Sequence, residues 1–107
     1  MTMKILNLLT SVTAFGAGAK VDASSLPAER TFHASGLVST GTGSATIAVE
    51  GSNDNGLSWL NIGTITLALS TAPVGDGFAT IASWGHVRGN VIALSGTGAV
   101  VSMSMGA

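Results

Sequence analysis

The residues able to do chemistry are few. Five carboxylates (Asp22, Glu29, Glu50, Asp54 and Asp76), two histidines (His33 and His86) and many serines make up the inventory. A nucleophilic triad needs a serine activated by a histidine that a carboxylate orients. His33, Asp54 and any of several serines could be combined that way, but no spacing singles one out and no nucleophile elbow is present. Glycoside hydrolysis needs two carboxyls facing one bond, and all five acids fall in loops or at strand ends, where solvated acids are ordinary. The run Asn53-Asp54-Asn55-Gly56, with Glu50 nearby, offers hard oxygen ligands. It lacks the alternating ligand positions and the distal bidentate glutamate of a calcium loop, and Asx residues before glycine are turn chemistry. The Ser39-Thr40-Gly41-Thr42-Gly43 tip has no following lysine or helix to hold a phosphate. No catalytic residue, cofactor site or metal site is therefore expected, and the chain reads as non-enzymatic.

The elements that must carry these residues are strands. Glycines punctuate short apolar runs, and period-two alternation recurs in most of them. Runs are expected near residues 5–9, 32–38, 45–49, 57–60, 62–69, 78–84, 87–94 and 99–105. The 39–43 tip is expected to close a hairpin into Ala45-Ile47-Val49, residues 53–56 to make a second turn, and residues 70–77 to be a loop. About eight strands at this spacing predict an all-β fold, an antiparallel, jelly-roll-like β-sandwich. The 107 residues form a single domain that can bury roughly 65% of its unfolded surface.

Charge is the unusual quantity. Only 8% of residues are charged and 46% are hydrophobic, with a mean hydropathy of +0.54, against a usual charged share of about a quarter. Outward positions are filled by Ser, Thr, Gly and Ala, which make neutral, flat surfaces suited to packing against other protein. The cations Lys4, Lys20, Arg30 and Arg88 are scattered, so no basic stripe exists to follow phosphates, and no nucleic-acid partner is expected. No apolar run approaches the ~20 residues of a membrane-spanning helix, and no membrane partner is expected. There is no cysteine for a disulfide or thiolate site. Lys4, Ile5-Leu6-Asn7-Leu8-Leu9 and Ala17-Gly18-Ala19 imitate a signal peptide. Asn7, Thr10, Ser11 and Thr13 interrupt the apolar stretch, and this segment is expected to belong to the folded chain.

The two tryptophans are expected to play different parts. Trp59 shares its phase with Ile65, Leu67 and Leu69 if no bulge intervenes at Asn61-Ile62, which would place it on the core face. Trp84, at a strand end beside Gly85-His86, is the better candidate for a partner contact. The run from Met3 to Leu9, apolar on both faces, is expected to be buried or to add to a neighbour's sheet edge. Residues 1–17 thus form an N-terminal strand or arm whose deletion would leave a folded domain that no longer binds particles. Candidate partner contacts are Ile5, Leu6, Leu8, Trp84, His86 and Arg88.

The stretch 36–59, GLVSTGTGSATIAVEGSNDNGLSW, followed by Ile62-Gly63-Thr64-Ile65-Thr66-Leu67 and Gly75-Asp76-Gly77-Phe78, resembles small structural proteins of tailed-phage virions. Val87-Arg88-Gly89-Asn90-Val91, Ser95-Gly96-Thr97-Gly98-Ala99 and Met103-Ser104-Met105-Gly106-Ala107 continue the likeness over the last two-thirds of the chain. The resemblance implies a head decoration (cement) protein on the outer surface of the capsid, with the major capsid protein as partner. It also implies a homo-oligomer, a trimer favoured over a dimer, and offers no catalytic residues. The alternatives are a discoidin-like carbohydrate-binding module, which shares the Ser-Asn-Asp-Gly turn leading to Trp, and a tail fibre or baseplate subunit used in host attachment.

Overall fold

The computed structural model describes residues 4–81 and 83–107. Met3 of the expected N-terminal run, the first three residues of the expected arm, and Ala82 of the expected 78–84 strand lie outside the described residues. Nine strands follow in order: β1 Ile5–Val12, β2 Gly16–Ala17, β3 Val21–Asp22, β4 Glu29–Leu37, β5 Thr40–Ser52, β6 Leu60–Leu69, β7 Val74–Ile81, β8 His86–Thr97 and β9 Val100–Gly106. They form a four-stranded sheet in the order β1-β9-β4-β7 and a five-stranded sheet in the order β2-β8-β5-β6, with β3 also paired to β8. All pairings are antiparallel.

The ladders are nested. β1 pairs with β9, β2 and β3 with β8, β4 with β7, and β5 with β6. The chain is thus one long antiparallel ribbon doubled at residues 53–59 and wound into two layers, the jelly-roll-like sandwich that the strand spacing predicts. Extents of 41 × 33 × 17 Å reflect the two flat layers.

Alternation builds the core. Phe32 and Ala34 on β4, Ile47 and Val49 on β5, Ile65, Leu67 and Leu69 on β6, and Val101, Met103 and Met105 on β9 are buried between the sheets. Their intervening neighbours, such as Thr31, His33, Thr64 and Thr66, face solvent. The rings of Phe32 and Phe78, opposite each other on β4 and β7, tilt at 35° with centroids 5.4 Å apart.

Three local expectations are corrected. The 39–43 tip is not a hairpin: β4 and β5 lie in different sheets, residues 38–39 carry the chain between them, and residues 40–43 already belong to β5. The expected 70–77 loop ends early, because β7 begins at Val74 and pairs Gly75, Asp76 and Gly77 with Ser35, Ala34 and His33. A side chain at Gly77 would place its Cβ 2.3 Å from the Phe32 carbonyl oxygen, so glycine serves close strand approach there and not a turn. Finally, β1 is an edge strand and not an interior one. Ile5 is 62% exposed, while a register shift between Asn7 and Leu9 turns both Leu8 and Leu9 into the core. Deleting residues 1–17 would therefore remove core side chains and a β9 partner, so an intact fold is not the expected result.

Candidate functional site

One end of the sandwich gathers most of the side chains of interest. It is built from the first residues of β1, β4, β6 and β8, the last residues of β5, β7 and β9, and the 53–59 connection. Register sets the four-stranded half of this end: Ile5 lies opposite Gly106, Gly106 opposite Thr31, Thr31 opposite Ala79, and Glu29 opposite Ile81. On the other sheet, Ser52 lies opposite His86, and Gly51 lies between Leu60 and Val87.

Arg30 joins the two halves. Its Nε donates to the Pro27 carbonyl at 3.0 Å, Nη1 to the Trp84 carbonyl at 3.0 Å and Nη2 to the Ala23 carbonyl at 2.8 Å. The residue is 2% exposed, and burial lowers its pKa from the ordinary arginine value. In the sequence Arg30 is one of four scattered cations; the structure makes it an internal clamp. A usable signal was present, since Arg30, Phe32 and Ala34 fall on one face at period two, and that face is buried.

The 53–59 connection is held by its own polar groups. Ser52 Oγ donates to Asp54 Oδ1 at 2.7 Å and accepts from the Gly56 amide at 2.9 Å. The Ser58 amide donates to Asp54 Oδ1 at 2.9 Å, and its hydroxyl donates to Oδ2. Asn55 and Gly56 take φ of 62° and 88°, the left-handed backbone that Asn and Gly tolerate best. Lys20 Nζ donates to the Asn55 carbonyl at 2.8 Å and to its Oδ1 at 3.0 Å, fastening the loop to the segment between β2 and β3. The Asx residues therefore serve as a folded turn.

The Ser58 and Ser52 hydrogen bonds hold the Asp54 carboxyl well below the usual carboxylate range. The folded pKa lies below the unfolded value of about 3.9, so the stabilisation is complete above that pH and fades as acid titrates the folded carboxylate. The difference in melting temperature between wild type and Asp54→Asn is expected to be largest near neutral pH. It should shrink steadily in acid; a pH-independent difference would show that the carboxylate's charge is not what orders this turn.

The two tryptophans exchange the places expected for them. β6 carries an extra residue at Ile62, since Gly63 pairs with Val49 but Asn61 with Glu50. That bulge shifts the phase, and Trp59 falls on the outer face of the five-stranded sheet. Arg88 lies over its ring, 4.2 Å from guanidinium carbon to centroid, while Arg88 Nε donates to Glu50 Oε1 at 2.7 Å. Trp59 Nε1 donates to the Gly56 carbonyl at 3.1 Å. Trp84 instead packs against the core and covers Gly51.

The structure brings Ile5, Trp84, His86 and Arg88 to this end. Ile5 is exposed, and His86 and Arg88 are half-buried. Leu6 is half-buried against the core, and Leu8 is buried within it and does not present its side chain to solvent. Beside Ile5, which is 62% exposed, this end carries three exposed apolar side chains that the sequence does not single out: Leu57 at 88%, Leu60 at 60% and Ile81 at 76%. Among the described residues these and Ile5 are four of the six large apolar side chains left exposed, the others being Phe15 and Ile92. Pro27, Ala28, Glu29, Ala79, Ile81 and Ala107 help line a shallow hollow of about 810 Å³ at the same end. Such an end can seat the apolar surface of another macromolecule.

No protein family and no curated protein matches this sequence. The fold does have a solved counterpart: the crystal structure of PBSX exported protein XepA is similar at a TM-score of 0.58 and 11% identity. The likeness covers 98% of this chain and 36% of that one, so this chain spans little more than a third of the counterpart's length. At that identity the likeness is one of fold.

Proposed function

We propose that this chain is a non-enzymatic structural protein of a phage virion, a decoration protein that binds the major capsid protein on the outer surface of the head. The observation that carries the reading is the exposure of Ile5, Leu57, Leu60 and Ile81, spread across one end of a sandwich whose outer positions are mostly uncharged. Fold likeness to PBSX exported protein XepA, a phage-related protein, supports the phage setting and a location outside the host cytoplasm. Apolar side chains on a rigid rim suit repeated, modest contacts, which many copies on one particle turn into firm attachment. A glycan-binding role asks for an open aromatic platform. Arg88 covers one face of the Trp59 ring and Trp84 lies against Gly51, which weighs toward protein contact instead.

Side-chain-resolution cryo-electron microscopy of purified virions tests the reading directly, with copies expected on the outer shell bridging capsid subunits. Ile81→Asp and Leu57→Asp place charge on exposed positions and should leave the circular dichroism spectrum unchanged. Each is expected to lower particle occupancy at least tenfold, the effect of losing about 1.4 kcal/mol of contact energy. Density only at the tail tip, or variants that bind particles as wild type does, would overturn the capsid assignment.

A further inference from the structure

The four strands at the sheet borders are not equally protected. An edge strand presents unpaired backbone amides and carbonyls, and proteins blunt such edges with bulges, charges, proline or cover. β1 has two register shifts and a positive φ of 48° at Ser11. β7 carries Asp76 between Gly75 and Gly77. β8 is covered by β2 and β3 along its first half, and beyond that it bulges at Ile92 and takes a φ of 115° at Gly96. β6 has none of these devices past Ile62. Residues 63–69, Gly-Thr-Ile-Thr-Leu-Ala-Leu, pair without interruption with residues 43–49 of β5, and their other edge meets no strand among the described residues. The segment has no charge and no proline, the composition of strands that add to other strands.

We infer that this edge of β6 is the self-association surface of the protein, pairing antiparallel with β6 of a second copy about a two-fold axis normal to the sheet. Isologous pairing sets residues near the axis against their own counterparts, so any charge there would repel itself. β6 has none from Leu60 to Leu69. A two-fold normal to the sheet also keeps the layers in line. Exposed Thr64, Thr66 and Ala68 stay on the outer face of both copies, and buried Ile65, Leu67 and Leu69 stay on the inner face of both. The five-stranded sheet then runs continuously through the dimer. This geometry departs from the trimer that the phage resemblance favours. It stands apart from the capsid reading, since it is measured in buffer without particles.

Analytical ultracentrifugation of the full chain is expected to show a dimer at high concentration. Thr66→Lys, on an outward position, should give a monomer with unchanged circular dichroism. Mixing Thr66→Lys with Thr66→Glu should restore the dimer, because opposite charges then meet across the axis. Every other amide of residues 63–69 should exchange with solvent slowly in the dimer and fast in Thr66→Lys. Should that variant not fold, Thr64→Lys, also outward and exposed, takes its place. Asn7→Lys on β1 should leave the dimer intact. A wild-type monomer at every soluble concentration, a dimer indifferent to charge on β6, or one broken by Asn7→Lys would each overturn the assignment.

Discussion

Replacing Arg30 with methionine is expected to destabilise the fold by about 3–4 kcal/mol, read as a fall in the urea midpoint without a change in slope. The guanidinium reaches three backbone carbonyls, those of Ala23, Pro27 and Trp84, from a site almost closed to water. Removing it strands three acceptors, each worth roughly 1–3 kcal/mol when buried without a donor. The Ala23 carbonyl lies deepest and contributes most; water can relieve part of the cost at the other two, which lowers the sum. Methionine retains much of the side chain's apolar packing, so the loss is chiefly one of hydrogen bonding. Arg30→Lys keeps the charge, but a single ammonium cannot match three carbonyls placed for a planar fork, and an intermediate loss is expected. Because Arg30 ties the 23–28 connection to the segment before β8, amide exchange should accelerate there before it does in the central strands. A cost below about 1 kcal/mol for Arg30→Met would mean that the carbonyls find other donors and that the clamp is not structural.

Gly51→Val should produce the second large loss, about 2–3 kcal/mol. A Cβ at this position would sit 2.4 Å from Cγ of Trp84 and within 2.7 Å of two further ring atoms. The indole is rigid and packs against the core, so it must swing outward as a unit or the end of β5 must move. Trp84→Ala alone should cost about 2–3 kcal/mol, less than a fully buried tryptophan because the ring is half-buried. In the double variant the valine fills space that the ring has left. Its cost should therefore fall short of the sum of the two by more than about 1 kcal/mol. Strict additivity would show that the two residues do not share this space. Tryptophan fluorescence offers an independent check: the emission of Gly51→Val should shift to the red as Trp84 leaves its pocket, while Trp59, held by Gly56 and Arg88, contributes unchanged.

These two residues also mark where sequence reading stops. Arg30 was legible in principle, because it shares the phase of Phe32 and Ala34. A lone arginine reads as a surface cation until the carbonyls that surround it are known, and those come from residues 23, 27 and 84. Parity with Ile65, Leu67 and Leu69 puts Trp59 on the core face. One extra residue at Ile62 reversed the assignment, since a single-residue slip in a strand carries every side chain beyond it to the other face. Bulges depend on what the partner strand needs, and no local pattern announces this one. Likewise Gly75-Asp76-Gly77 has the composition of a turn, and only pairing with β4 makes it a strand.

The sequence by itself determined that the protein is all-β, with strands where period-two alternation runs and a reversal at Asn53-Asp54-Asn55-Gly56, because side-chain alternation and turn chemistry act between near neighbours. The tertiary structure alone decided which strands pair, which edge stays open, and that Ile5, Leu57, Leu60 and Ile81 are exposed at the same end of the sandwich. Those outcomes rest on contacts such as β1 with β9, joined by ladders between residues about a hundred positions apart, and local preference cannot set a register across that distance.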